Sequence, residues 1–298
     1  MKKTKNSMYA LLAGGLLLTA FTFNGCSKNK TEDPTLPKIG GYNNSNEVAI
    51  TNLKAHWSFD DTKNEVISNT APTSYGGVSF VTGQIGKALN LADGALVFPA
   101  IANINTANSL SNYTVSMWVN VKNTGTTFTS LFGIIPTDVV EPWGNLGSNV
   151  ETAWFVPASD TLVLKANYLS SENGVNNGQD NRPDPKGTPP VGVFKSAGKW
   201  CHYVVRWDAS THKLQIFGNN VSIGAYDNRG TTGPLVMRVP CKAVVGSLAA
   251  TDIGFAGAPV RDTWMPKATA VIDDIRVFNK SLSDIEIKAL FDLGTAGR

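Results

Sequence analysis

The chain has 298 residues, of which 16% are charged, with 28 glycines and 15 prolines. Its formal charge of +3 resides in the first 25 residues: without Lys2, Lys3 and Lys5, basic side chains fall from 26 to 23 against 23 acids. A formally neutral remainder gives no electrostatic support for nucleic-acid binding, and low charge with many turn residues fits an extracellular all-β domain. The three lysines precede an apolar run from Met8 to Phe23, then Asn24, Gly25 and Cys26, the order of a secretory signal. A membrane-spanning anchor is the weaker reading. It needs roughly 20 apolar residues, and this run is shorter and interrupted by Gly14 and Gly15.

Cys26 directly after Gly25 resembles the lipidation site of a bacterial lipoprotein, which implies removal of residues 1–25 and a lipid anchor as the sole membrane attachment. The acidic residues Glu32 and Asp33 shortly afterwards resemble the surface-export tags of Bacteroidota lipoproteins. An outer-membrane, surface-exposed location is the corresponding expectation. Residues 26–48, with Pro34, Pro37, Gly40, Gly41 and four asparagine or serine residues at 43–46, read as a flexible tether. Residues 49–298 then form one domain.

From Leu53 onward the chain reads as short strands between turns. In Tyr113 to Val121 (YTVSMWVNV), Tyr113, Val115, Met117, Val119 and Val121 share one face and Trp118 lies on the other. Thr161 to Tyr168, Trp200 to Trp207, Lys213 to Phe217 and Ala270 to Phe278 read similarly, with a hairpin at 208–212. Ser170 to Gly192, rich in Asn, Asp, Gly and Pro, reads as a long loop, either the wall of a site or a plain insertion. Only the last segment is helical: Ser283 and Glu286 have capping-box spacing, and Ile285, Ala289, Leu290 and Leu293 form a short apolar face. Cys201 and Cys241, in a compartment that permits disulfides, form either a bridge or two buried thiols.

Five segments in order carry a family resemblance: Leu53 to Asp60 (LKAHWSFD), Thr82 to Gly94 (TGQIGKALNLADG), Tyr113 to Val119, Lys199 to Asp208 and Ile272 to Glu286. Together they resemble a laminin G-like domain of the concanavalin A-like lectin and glucanase superfamily. The resemblance implies an antiparallel jelly-roll sandwich of two sheets with one short C-terminal helix. Gly83 and Gly86 are expected to mark a close approach of backbones. It also implies a structural calcium ion, for which Asp60 and Asp273 are the carried-over ligands and Asn64 a neighbour.

No enzyme is expected. Glucanases of that superfamily present carboxylates as Glu-x-Asp-x-x-Glu on one strand, and no such segment occurs among the seven glutamates here. The adjacent Asp273 and Asp274 face opposite sides of a strand. The implied function is non-catalytic capture of a poly- or oligosaccharide at the cell envelope, with an adhesion module for an envelope protein partner as the alternative. Sugar rings stack on loop aromatics, so Trp143, Trp154, Trp264 and Tyr168 are the expected contacts, with Arg261 for hydroxyls. The plainer role for these tryptophans is to plug the ends of the sandwich.

Overall fold

Alternating apolar residues bounded by turns produce fourteen strands among the described residues of the computed structural model: 36–125, 128–136, 142–152, 159–172, 175–181, 193–211, 213–226 and 235–298. They are β1 (Leu53–Trp57), β2 (Thr73–Thr82), β3 (Lys87–Phe98), β4 (Tyr113–Asn120), β5 (Phe128–Pro136), β6 (Leu146–Glu151) and β7 (Leu162–Glu172). There follow β8 (Val175–Asn181), β9 (Val193–Phe194), β10 (Trp200–Asp208), β11 (Lys213–Gly218), β12 (Val221–Tyr226), β13 (Pro240–Val245) and β14 (Ala268–Phe278). One helix, α1 (Asp284–Thr295), ends the fold. The signal segment and Cys26 lie outside the described residues.

The strands form one antiparallel ladder in the order β12-β11-β10-β4-β14-β3-β13-β5-β6-β7-β8, with β1 on β14, β2 on β3 and β9 on β7. β3 joins its two halves. Its residues Leu89 to Gly94 pair with β14, and Leu96 to Phe98 pair with β13. The halves close face to face as a jelly-roll sandwich. Met117, Val119, Tyr203, Val205 and Ile216 of the first half share a core with Phe132, Ile134, Leu146, Val150, Leu164 and Ala166 of the second. The Tyr203 hydroxyl donates to the Lys165 carbonyl at 2.6 Å, and Tyr168 packs on Trp207 with ring centroids 5.0 Å apart. Trp57 meets Phe98 and Phe132 edge-on at 5.4 and 5.3 Å.

α1 covers the outer face of the first half. Ser283 caps it in a complete capping box with Glu286, and Ile287, Leu290 and Leu293 bury against Val204, Phe217 and Phe278. Ile285, expected on the apolar face, is 74% exposed; Ile287 takes that place. Trp118 lies opposite the core, as its register predicts, stacked on Phe291 at 5.9 Å.

Two further expectations change. Residues 37–48, read as tether, belong to the compact unit 37–298. Val48 is buried with α1, and buried Ser45 is held by Arg276, whose Nη2 donates to its hydroxyl at 2.9 Å. The expected loop 170–192 begins as a hairpin, with β7 running to Glu172 and pairing with β8. Of the two states left open for Cys201 and Cys241, the structure shows thiols, Cys201 buried and Cys241 half-buried. Cys201 sits in the core, where burial pushes its thiol up to about 12.

Candidate functional site

A sheet face that is buried is ordinarily apolar, because unpaired polar groups out of water are costly. The outer face of β6 and β7 breaks that rule. Leu146, Val150, Leu164 and Ala166 point into the core. Between them Asn145, Asn149 and Glu151 alternate on β6 and its entry, and Lys165 and Asn167 on β7. Asn145 and Asn149 are fully buried, and Lys165 and Asn167 are each 6% exposed. Gly147 lies at the centre of this floor. A Cβ there would come within 2.4 Å of the Asn167 side-chain oxygen, so glycine leaves the room in which the amides meet.

A directed relay orients these amides. Asn167 Nδ2 donates to the Trp143 carbonyl at 3.1 Å, and Asn149 Nδ2 donates to Asn167 Oδ1 at 3.1 Å. Because a carbonyl only accepts, Asn167 must turn its NH2 toward Trp143, and Asn149 must then turn its NH2 toward Asn167. Asn149 Oδ1 is left buried without a partner. Asn145 repeats the logic: Nδ2 donates to the Arg238 carbonyl at 2.9 Å, leaving Oδ1 unpaired. The floor therefore holds two fixed, buried and unsatisfied acceptors.

An aromatic cluster borders it. Trp143 and Trp264 stack at 5.8 Å and 27°, and Phe128 meets Trp143 edge-on at 5.4 Å. Lys165 Nζ lies 5.8 Å above the Trp143 ring and 3.1 Å from Glu151 Oε1. Trp264 remains 45% exposed. Its loop is held by Arg261, whose three nitrogens donate to Asp252 (2.9 Å), the Met265 carbonyl (2.7 Å) and the Ser247 hydroxyl (2.9 Å).

No family model matches the chain, and no curated protein matches it. Solved structures do. Domain 4 of AbnA, a GH43 extracellular arabinanase from Geobacillus stearothermophilus in complex with arabinotriose, aligns with a TM-score of 0.50 and 20% identity. The alignment covers 80% of this chain and 98% of that one. The binding domain of botulinum neurotoxin DC aligns in complex with SialylT (TM-score 0.50, 12% identity, 83% and 52% covered) and with rat synaptotagmin II (0.51, 12%, 82% and 52%). This chain spans about half the length of the toxin domain. These likenesses show the fold.

Of the residues expected from sequence to contact ligand, Trp143 and Trp264 come together, although they are far apart in the chain. Arg261 joins them in positioning the Trp264 loop rather than as an open arm. Tyr168 does not take part. It is 1% exposed and belongs to the core, because its even position in β7 faces inward with Leu164 and Ala166. Trp154 lies outside the described residues. Asn145, Asn149, Glu151, Lys165 and Asn167 went unnoticed in the sequence, although polar residues at alternate positions of two strands were visible there.

Two expected calcium ligands converge elsewhere, at the turn 83–87. Asp60 Oδ1 accepts from the Lys87 amide at 2.8 Å and Asp273 Oδ2 from the Ile85 amide at 2.9 Å. A Cβ on Gly83 would lie 2.5 Å from Asp273, and one on Gly86, at φ +60°, 2.2 Å from Asp60, which gives the predicted close approach its cause. Asn64 instead donates through Nδ2 to Asn69 at 2.8 Å. Among the described residues no group of three His, Cys, Asp or Glu side chains could hold a metal ion. The buried, unpartnered Asp273 Oδ1 fits one coordination position of a hard cation.

Burial, with the charges of Asp274 and Asp60 added, pushes Asp273 up to about 8 against the opposing Ile85 amide. A raised carboxyl contributes stability that is full below the unfolded value near 4 and is lost as pH rises through 8. His202 acts in the opposite sense: burial pushes it down to about 3, so its contribution is lost as pH falls below about 6.5. The two effects offset each other between about pH 4 and 6.5, and Asp273 alone acts between 6.5 and 8. In chelator, unfolding free energy should fall over that window by up to about 1.4 kcal/mol per pH unit. Denaturant titrations of Asp273→Asn should show that slope abolished; an unchanged slope would assign it to another group.

Proposed function

We propose that the chain is a non-catalytic glycan-binding module of a lipid-anchored envelope protein. The observation that carries this is the pair of buried, orientation-fixed acceptors, Asn145 Oδ1 and Asn149 Oδ1, on a floor bordered by the stacked Trp143 and Trp264. Each unsatisfied acceptor costs about 1–3 kcal/mol, and a sugar hydroxyl is the donor that relieves it while its C–H face lies on an indole. The complexes of the structural neighbours with arabinotriose and SialylT support the same class of ligand.

Asp60 and Asp273 hold a structural calcium ion on this reading, completed by backbone carbonyls, and it stabilises the turn rather than touching sugar. Cys26 carries the lipid.

The test is a glycan array probed with the purified full chain in a sugar-free detergent. Binding to one glycan class is the expected result; silence from folded protein would leave a protein partner as the better reading. Asn149→Leu separates recognition from stability. It removes the orphaned oxygen but deprives Asn167 Oδ1 of its donor, exchanging one unpaired acceptor for another. Its unfolding free energy should therefore change by less than about 1 kcal/mol, while affinity for the array hit, read by calorimetry, falls about tenfold, or about 1.4 kcal/mol. An unaltered affinity would remove Asn149 from the site.

A further inference from the structure

We propose that two copies of this chain pair antiparallel along β2, about a two-fold axis at Ser79, so that one sheet runs across both. Among the described residues β2 pairs only with β3, which leaves its far side as a sheet edge. The hairpin decides which groups that edge offers. The Gly83 amide donates to the Gly86 carbonyl at 3.0 Å, so these two residues are a bonded pair. Bonded and non-bonded pairs alternate along an antiparallel ladder. Val81 with Ala88 and Ser79 with Asn90 therefore exchange bonds, whereas Val78, Phe80 and Thr82 turn their N–H and C=O to the open side. Lys87, opposite Thr82, agrees: its amide donates away from β2, to Asp60 Oδ1 at 2.8 Å.

An open edge is a template for another strand, and proteins blunt it with lysine, proline or an inward charge. β2 uses none of these. Thr73–Thr82 (TSYGGVSFVT) holds no charged residue and no proline, and its one irregularity lies between Tyr75 and Gly77, leaving 77–82 regular. A second copy suits this edge because a two-fold axis sets the same patch against itself. An uncharged strand then meets no like charge, and Lys87 and Asp61 at the hairpin end neutralise each other at 2.6 Å. With the axis at Ser79, Val78 stands opposite the partner's Phe80. Both side chains are half-buried against the main core, and β-branched against aromatic is a favourable cross-strand pair. Their outward groups supply about four inter-chain backbone hydrogen bonds. The pairing uses up both β2 edges, so it closes as a dimer.

A contact of this size is weak in solution, so a covalent trap is the sensitive test. Across the axis the two Ser79 Cβ atoms stand about 5 Å apart, close enough for a disulfide after a small adjustment. Val81 faces the partner's Gly77 and lies about 13 Å from the partner's Val81. Both residues are exposed. Purified full chain carrying Ser79→Cys or Val81→Cys is oxidised mildly and run on a non-reducing gel. Ser79→Cys is expected to give at least about ten times more linked dimer than Val81→Cys or the unaltered chain. In sedimentation with density-matched detergent, Ser79→Lys should weaken self-association about tenfold, as should Ser79→Asp, by setting like charges together. An equimolar mixture of the two should restore it, and unchanged thermal midpoints would show both folded. Equal linking of the two cysteine variants would overturn the pairing, as would self-association that Ser79→Lys leaves unaltered. A chain that is neither linked nor associated at any concentration would overturn it too. Linking only between Ser79→Cys and Val81→Cys chains would overturn the axis at Ser79. None of these results bears on the glycan reading.

Discussion

Trp264→Ala is expected to weaken glycan binding by about 2 kcal/mol, roughly thirty-fold, and to leave the fold intact. The indole is 45% exposed, so its removal opens no cavity in the core. Its stacking partner Trp143 is more enclosed, packed against the small cluster of Phe128, Leu248 and Met265. Trp143→Ala should therefore lower both affinity and stability, the latter by about 2 kcal/mol, below the usual cost of emptying a fully buried aromatic site. The contrast is diagnostic. If the tryptophans only plugged the end of the sandwich, Trp264→Ala would shift the thermal midpoint and leave any glycan affinity where it was. Calorimetric titration alongside thermal denaturation of the two variants reads both quantities.

Asp274→Ala is expected to destabilise the domain by about 3–5 kcal/mol, the cost of leaving a buried charge without its partner. Arg276 is 2% exposed and donates to both carboxylate oxygens of Asp274 at 2.9 Å; His56 Nε2 lies 2.8 Å from Asp274 Oδ1. Burial would by itself raise this carboxyl, but Arg276 and His56 hold it well below the usual range. Its contribution is thus full above about pH 4 and lost as pH falls through the depressed folded value. The same guanidinium reaches the Ser45 carbonyl and hydroxyl and the Asn46 side chain, so the network pins the chain where it enters the domain. Amides near 43–48 should exchange faster in the variant. Replacing both partners, as Asp274→Leu with Arg276→Met, should cost less than the single change. Urea unfolding decides, and a single variant within 1 kcal/mol of the parent would show that the network carries little.

The strands and the helix cap were legible because each depends on local pattern. Tyr113 to Asn120 alternates cleanly, and the Ser283 and Glu286 spacing leaves few other structures. The placement of Trp118 away from the core followed from that alternation, although the helix that covers it did not. The candidate site was half legible. Trp143 and Trp264 stood out as aromatics among turn residues, but only the ladder of β13, β5 and β6 brings their loops together. Asn145, Asn149 and Asn167 read as ordinary solvent-facing residues of a sheet; nothing local says that such a face is buried. Tyr168 failed for the complementary reason. It sits one residue from Asn167, and a step of one along a strand turns a side chain to the other face. Residues 37–48 look like linker by composition, and their docking depends on Arg276, more than 200 residues away.

The most direct test of the account is a hydrogen-exchange footprint of the full chain with its tightest array glycan. Protection is expected over β6, β7 and the segment 261–266, with α1 and the outer face of β10 and β11 unchanged. Protection confined to the α1 side, with β6 and β7 exchanging as in the free protein, would contradict the placement of the site.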